Sequence, residues 1–237
     1  MAAEVRSPRA RYREQTRAEI KAAALDQLAE GGAQAVALTR IARDMGLSGP
    51  ALYRYFAGRD ELLDELMRDA YDDLAHAVTH ARGFGARDAR AVLHTLADAF
   101  LDWATAQPHR YLLIQGTPVP GHAAPPDTAE RARAALGPFL TVFASGDPSD
   151  AFRPTVEEMA GWVREDDSLA AWIAEHTGLP PYDARTGTAL AGAVLAWSQL
   201  HGTVSLAVSG QYGGIGPRTR TLLLAQADAL ADAFRLA

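Results

Sequence analysis

The 237-residue chain contains no cysteine. That absence excludes disulfides, cysteine-ligated zinc and thiol redox sensing, and it fits a reducing cytoplasm, the expected location. Lysine is almost absent too, with Lys21 alone among 23 basic residues. The excess of arginine is read as the mark of a GC-rich genome and carries no functional weight. Convincing period-two strand runs, internal repeats and low-complexity linkers are missing. No G-x-S-x-G elbow or H-E-x-x-H pair occurs. Nothing supports a catalytic site, so the chain is read as a non-enzyme with no cofactor and no metal. Asp72, His76 and His80 stand at i, i+4, i+8, a spacing that can present metal ligands, and are read as a solvated helix face. The run Gly210 to Gly216 follows a helical pattern and lacks the Walker lysine, which argues against a phosphate loop. The opening MAAEVRSPRARYREQ lacks the apolar segment of a signal peptide.

Charge is absent from Thr186 to Pro217. A membrane-spanning helix needs roughly 20 mostly apolar residues. Here Ser198, Gln199, His201, Thr203 and Ser205 are interleaved, and polar groups facing lipid are costly. The stretch is therefore expected to be a buried helix in a core or dimer seam, with no membrane partner.

What is present is a composition that buries a core: 48% hydrophobic and 22% charged residues, enough for one or two domains. The net charge of −6 is unevenly spread. Residues 1–60 hold 10 Lys/Arg against 7 Asp/Glu, a balance of +3, and the remainder holds 13 against 22, a balance of −9. A basic head on an acidic body suits a head that meets a polyanion. A solvated tail would look the same, so charge alone leaves both readings open.

Helical periodicity runs almost throughout, so the fold class is all-α. A first helix is predicted from about Arg13 to Glu30, stopped by Gly31-Gly32. Leu38, Ile41, Ala42 and Met45 define a short second helix ended by Gly46. A third carries Leu52, Tyr55 and Phe56. A fourth opens near Asp60 and breaks at Gly83-Phe84-Gly85. A fifth carries Leu93 to Ala104, and Pro108 opens a sixth. Gly116 to Pro126 is a loop. Asp127 can cap a seventh, with a kink at Pro138. One helix is expected from Thr155 to about His176, bent near Gly161. Two long helices close the chain, about Asp183 to Val208 and Pro217 to Leu236.

The stretch LTRIARDMGLSGPALYRY, Leu38 to Tyr55, decides between the charge readings. Two helices meet at a tight turn, Gly46-Leu47-Ser48. Ala42 is small enough for close helix approach, and Gly46 permits the turn. Ile41, Met45, Leu47, Leu52 and Tyr55 point inward, and Ser48 to Arg54 point outward. This is the layout of a helix-turn-helix, whose second helix enters the major groove and whose start offers free N–H groups to phosphate.

LTRIARDMGLSGPALYRYFAGRDELL resembles the DNA-binding signature of the TetR family over roughly residues 13–65. The aromatic run Leu52-Tyr53-Arg54-Tyr55-Phe56 and the following Arg59-Asp60-Glu61-Leu62 carry the likeness. Pro108 to Thr128 and Trp197-Ser198-Gln199-Leu200-His201-Gly202 resemble the subgroup named for Trp-His-Gly. One departure is Ala37, where the family usually has Ser or Thr as helix cap and phosphate contact. Such a loss costs about 0.5–2 kcal/mol.

The resemblance implies an N-terminal helix-turn-helix domain over residues 1–58. A larger helical domain over residues 59–237 binds an effector and dimerises. Phosphate contacts are expected from Arg17, Ser48, Tyr53, Tyr55 and Arg59. Base-edge contacts are expected from Arg40, Gly49, Pro50, Ala51 and Arg54, the two arginines foremost because arginine suits guanine. Thr39 joins the DNA-binding set. Trp103, Tyr111, Phe139, Phe143, Trp162, Trp197 and His201 form the candidate ligand pocket for an apolar small molecule; ordinary core packing explains the same residues. A homodimer is expected through the last two helices, with Ala189 to Val208 and Leu223, Ala227, Leu230 and Phe234 as its seam. The whole is expected to repress transcription from a palindromic operator.

Overall fold

The computed structural model describes residues 7–81, 88–115, 125–214 and 218–237. These residues hold eleven α-helices, two short 3-10 turns and no strand. The break expected at Gly83 to Gly85, most of the loop from Gly116 to Pro126, and Pro217 lie outside them. The described residues form two compact units: those up to Ala70 with those from His109 to Pro126, and those from Tyr71 to Pro108 with those from Asp127 onward.

The first unit begins with α1, Pro8–Gly31, five residues earlier than periodicity indicated. Ser7 is the reason: its hydroxyl accepts the Ala10 N–H at 3.2 Å, and Pro8 suits the first helical position. Gly32 ends the helix, donating its N–H to the Leu28 carbonyl. α2 (Leu38–Asp44), α3 (Gly49–Leu52), the first half of α4 (Arg59–Ala81) and α6 (Pro108–Gln115) complete it. Ile20, Ala24, Leu28, Val36, Ile41, Leu52, Phe56, Leu62 and Leu63 make the core. Full burial of each Ile, Leu or Phe contributes about 1.5–3 kcal/mol.

The second unit contains α5 (Ala89–Ala106), α7 (Thr128–Phe143), α8 (Arg153–Glu165), α9 (Asp167–Thr177), α10 (Arg185–Val208) and α11 (Thr219–Ala233). The uncharged stretch is α10, which packs chiefly against α7 and α8. Its small residues set the approach. A Cβ on Gly192 would fall 2.2 Å from Phe143 Cγ, and one on Gly187 2.8 Å from the Val156 carbonyl oxygen. No helix among the described residues is long and apolar enough to cross a membrane.

Three expectations are corrected here. The single helix from Thr155 to His176 is two, because the Asp166 carboxylate accepts the N–H groups of Ser168 (2.9 Å) and Leu169 (3.0 Å) and starts α9. Asp127 precedes α7 without capping it; its carboxylate takes the Arg131 Nε at 2.9 Å instead. Most of the residues named as a dimer seam are internal to the unit. Val204, Leu223, Leu230 and Phe234 are all buried, packed among α5, α7, α8, α10 and α11. Besides the charged Arg185, Arg220 and Asp232, α10 and α11 expose two narrow rows: Ser198, Gly202 and Leu206 on one, Thr221, Ala225 and Ala229 on the other. Both rows run at i, i+4, i+8 and carry no charge.

Candidate nucleic-acid interface

Between α2 and α3 the chain turns on Gly46, whose φ of +66° lies in the left-handed region. The Leu47 N–H donates to the Ala42 carbonyl at 2.8 Å and closes the turn. Met45 and Leu47 pack against the core from their half-buried positions. Ser48 caps α3, its Oγ accepting the Ala51 N–H at 3.3 Å, which leaves the hydroxyl hydrogen for another acceptor. The third helix was expected to reach Phe56, yet α-helix ends at Leu52 and turns follow. Past Leu52 the bonds tighten to i→i+3, Arg54 N–H to the Ala51 carbonyl at 3.3 Å and Tyr55 N–H to the Leu52 carbonyl at 2.8 Å. Arg17 fixes these turns by donating to the Tyr55 carbonyl and stacking on Phe56 at 4.2 Å.

The outward face collects most of the expected residues. Thr39, Ser48, Gly49, Pro50, Tyr53 and Arg54 are exposed, and Ala51 and Tyr55 are half-buried. The four arginines of the set differ. Arg17 also pairs with Glu65 at 3.4 Å, beside its bond to Tyr55. Arg59 donates to the carbonyls of Val36 at 3.1 Å and Ala33 at 2.6 Å, pinning the 3-10 turn Ala33–Ala35. Arg40 grips Glu30 with two bonds, 2.6 and 3.0 Å, and this holds the Glu30 carboxyl below the usual carboxylate range. Arg54 has no carboxylate or carbonyl partner among the described residues.

Two participants were missed from the sequence. Glu30 is one. The other is Gln27, buried on the apolar face of α1, whose Oε1 accepts the Ala37 N–H at 2.8 Å. It holds the backbone where the capping hydroxyl is lacking. The signal was legible, since a polar residue stands in the Ile20, Ala24, Leu28 row.

A model of the family described as bacterial regulatory proteins, tetR family, matches residues 20–66. One described as the tetracyclin repressor-like C-terminal domain matches residues 93–230. The HTH-type transcriptional regulator Rv1816 of Mycobacterium tuberculosis is 37% identical over 203 residues, covering 85% of this chain and 84% of its own. The chain belongs to the TetR family. It is a DNA-binding transcriptional regulator of that family. The crystal structure of the regulatory protein SCO4313 agrees with a TM-score of 0.76 at 40% identity, covering 95% of this chain and 100% of that one.

In the second unit of this TetR-family regulator, Phe139, Trp197 and His201 come together, joined by Phe100, which sequence reasoning left out. Phe100 meets His201 edge-on at 4.9 Å and Trp197 at 5.5 Å. Phe139 lies 6.3 Å from Trp197. Phe143 instead faces Phe234 at 5.0 Å. Trp103 is buried, and its indole N–H meets no acceptor among the described residues. Tyr111 is wholly buried in α6. Trp162 is 46% exposed on α8 and makes no ring contact among the described residues. Asp72 accepts from Arg131, and the His76 and His80 rings meet tilted by 45° at 3.7 Å.

Burial pushes the His201 pKa down to about 4, so the folded protein keeps this ring neutral. The unfolded chain protonates it near 6.5. Stability is therefore expected to fall as pH drops from about 6.5 to about 4, then level off, a loss of about 2–4 kcal/mol. Urea midpoints of the wild type against His201→Phe across that range measure it. Parallel curves for the two proteins would refute the assignment.

Proposed function

We propose that this regulator is a repressor, held on a palindromic operator as a homodimer and released by an apolar small molecule. Residues up to about 58 bind DNA, and the remainder dimerises and senses the effector. The observation that carries this reading is the outward face of α2, α3 and the turn that follows. There Arg54 lies unpartnered beside exposed Tyr53, and Gly49-Pro50-Ala51 present almost no side chain to keep the backbone from the groove.

Each side chain has a distinct role in this reading. Ser48, Tyr53 and Tyr55 bind phosphate. Arg54 reads a base edge, with Thr39, Gly49, Pro50 and Ala51 against the groove. Arg40 reads a base only by exchanging its Glu30 fork for one. Arg17 and Arg59 position the interface from within, by the bonds they make to backbone carbonyls. The exposed uncharged rows on α10 and α11 suit a four-helix seam about a two-fold axis. The apolar rings around Trp197 suit an apolar effector. That effector acts only through a difference in its affinity for the DNA-competent and incompetent states.

Footprinting against genomic fragments, then transcription in vitro from a promoter overlapping the protected site, tests repression. Tyr53→Phe and Arg54→Ala separate the roles. The first is expected to weaken all sequences alike, because phosphate contacts carry no direct sequence information. The second is expected to cost about 1–3 kcal/mol and relax preference at one base position. Uniform weakening by Arg54→Ala would move that arginine to the phosphate contacts.

A further inference from the structure

The early start of α1 has a consequence for how far the interface extends. Arg9, Arg13 and Arg17 stand at i, i+4, i+8 on α1 and so share one face. Arg17 is bonded to Tyr55, stacked on Phe56 and paired with Glu65. These contacts hold α1 against the residues that follow α3. The two arginines further out have no such partners among the described residues, and both are exposed. Arg9 and Arg13 instead face Arg54 across a cleft of about 520 Å³, whose remaining walls are Pro8, Tyr12 and Tyr55. Among the described residues no acidic side chain lines it. Tyr12, 68% exposed, adds a hydroxyl and a flat ring at the rim.

Among the described residues no carboxylate neutralises these three guanidiniums. Several arginines elsewhere are paired, Arg40 with Glu30, Arg90 with Asp228 and Arg185 with Asp183, and those without a carboxylate, such as Arg164 and Arg218, do not line this cleft. A guanidinium fork fits the two free oxygens of a phosphodiester. The shared wall with Arg54 and Tyr55 puts this cleft beside the residues assigned to the operator.

We propose that Arg9 and Arg13 form a second DNA site that clamps backbone phosphates flanking the base that Arg54 reads on the other side of the cleft. The proposal rests on the operator-binding reading above. Its partner is the phosphodiester backbone, so it adds affinity and salt dependence without adding sequence preference. The clamp depends on Ser7 and Pro8, which start α1 early enough to carry both arginines on helix.

The test uses the full-length protein and the operator found by footprinting. Ethylation interference on the wild type is expected to mark phosphates outside the base pairs protected in the major groove. The double variant R9Q/R13Q is expected to lose those marks. Its slope of log affinity against log salt is expected to be shallower by about 0.9 per lost phosphate, roughly 2 for each protomer. Its ranking of single-base operator substitutions should be that of the wild type, and its thermal melt unchanged. Wild-type interference confined to the major-groove base pairs would overturn the clamp, as would an unchanged slope in the variant; either leaves the operator reading intact. An altered base ranking would overturn it too, by making the arginines base readers. A wild type that binds no DNA would sink the operator reading itself.

Discussion

Raising salt from 50 to 200 mM is expected to weaken operator binding about 10³–10⁵-fold. The estimate follows from counterion release, for a dimer neutralising about 6–10 phosphates. The chain as a whole is acidic, with a net charge of −6, so attraction to DNA cannot come from the molecule's average field. It has to come from a few cations on one face. The structure narrows those further, because Arg17, Arg40 and Arg59 already hold partners within the protein and Arg54 does not. Mobility shifts at four salt concentrations measure the slope. A flat response would remove the phosphate contacts and the operator reading with them.

Val204→Asp is expected to abolish the fold, while Leu206→Glu is expected to leave a folded monomer that no longer holds the operator. The two residues sit two positions apart on α10 yet face opposite ways. Val204 is 0% exposed, and an aspartate there would bury a carboxyl among apolar neighbours with no partner. A loss of roughly 4–5 kcal/mol or more is the expected scale, comparable to the whole stability of many domains. Leu206 is 37% exposed, and a charge there stays hydrated in the single chain. In a two-fold seam the same charge meets its own copy, so the dimer loses. One half-site alone offers few contacts, and operator binding fails with the dimer. Circular dichroism and light scattering during chromatography separate the outcomes. A folded Val204→Asp protein would contradict the packing described for α10, and a dimeric Leu206→Glu protein would contradict the proposed seam.

The contrast between these neighbours shows where sequence reasoning stopped. The long uncharged surface read from Ala189 to Val208 is real as a pattern. Burial under α7 and α8 within the single chain already accounts for most of it. A run of small and apolar residues reports that something covers a helix; it does not report what. The same limit applies at Asp166 and Asp127. Both are good capping residues by type, but only Asp166 caps, because Arg131 stands one turn along and draws the Asp127 carboxylate away.

By itself the sequence determined the helical class, the turn on Gly46, the inward-pointing Ile41 and Leu52, and the exposed Ser48, Gly49, Pro50, Tyr53 and Arg54. These depend on interactions a few residues apart, which spacing records directly. Tertiary structure alone decided which guanidiniums remain available for DNA. Arg59 finds carbonyls at Ala33 and Val36, Arg17 finds Tyr55, and Ala37 finds Gln27. Each of those partners lies ten or more residues away. No local pattern ranks such partners, because the choice is made by which side chains the packed core brings within hydrogen-bond reach.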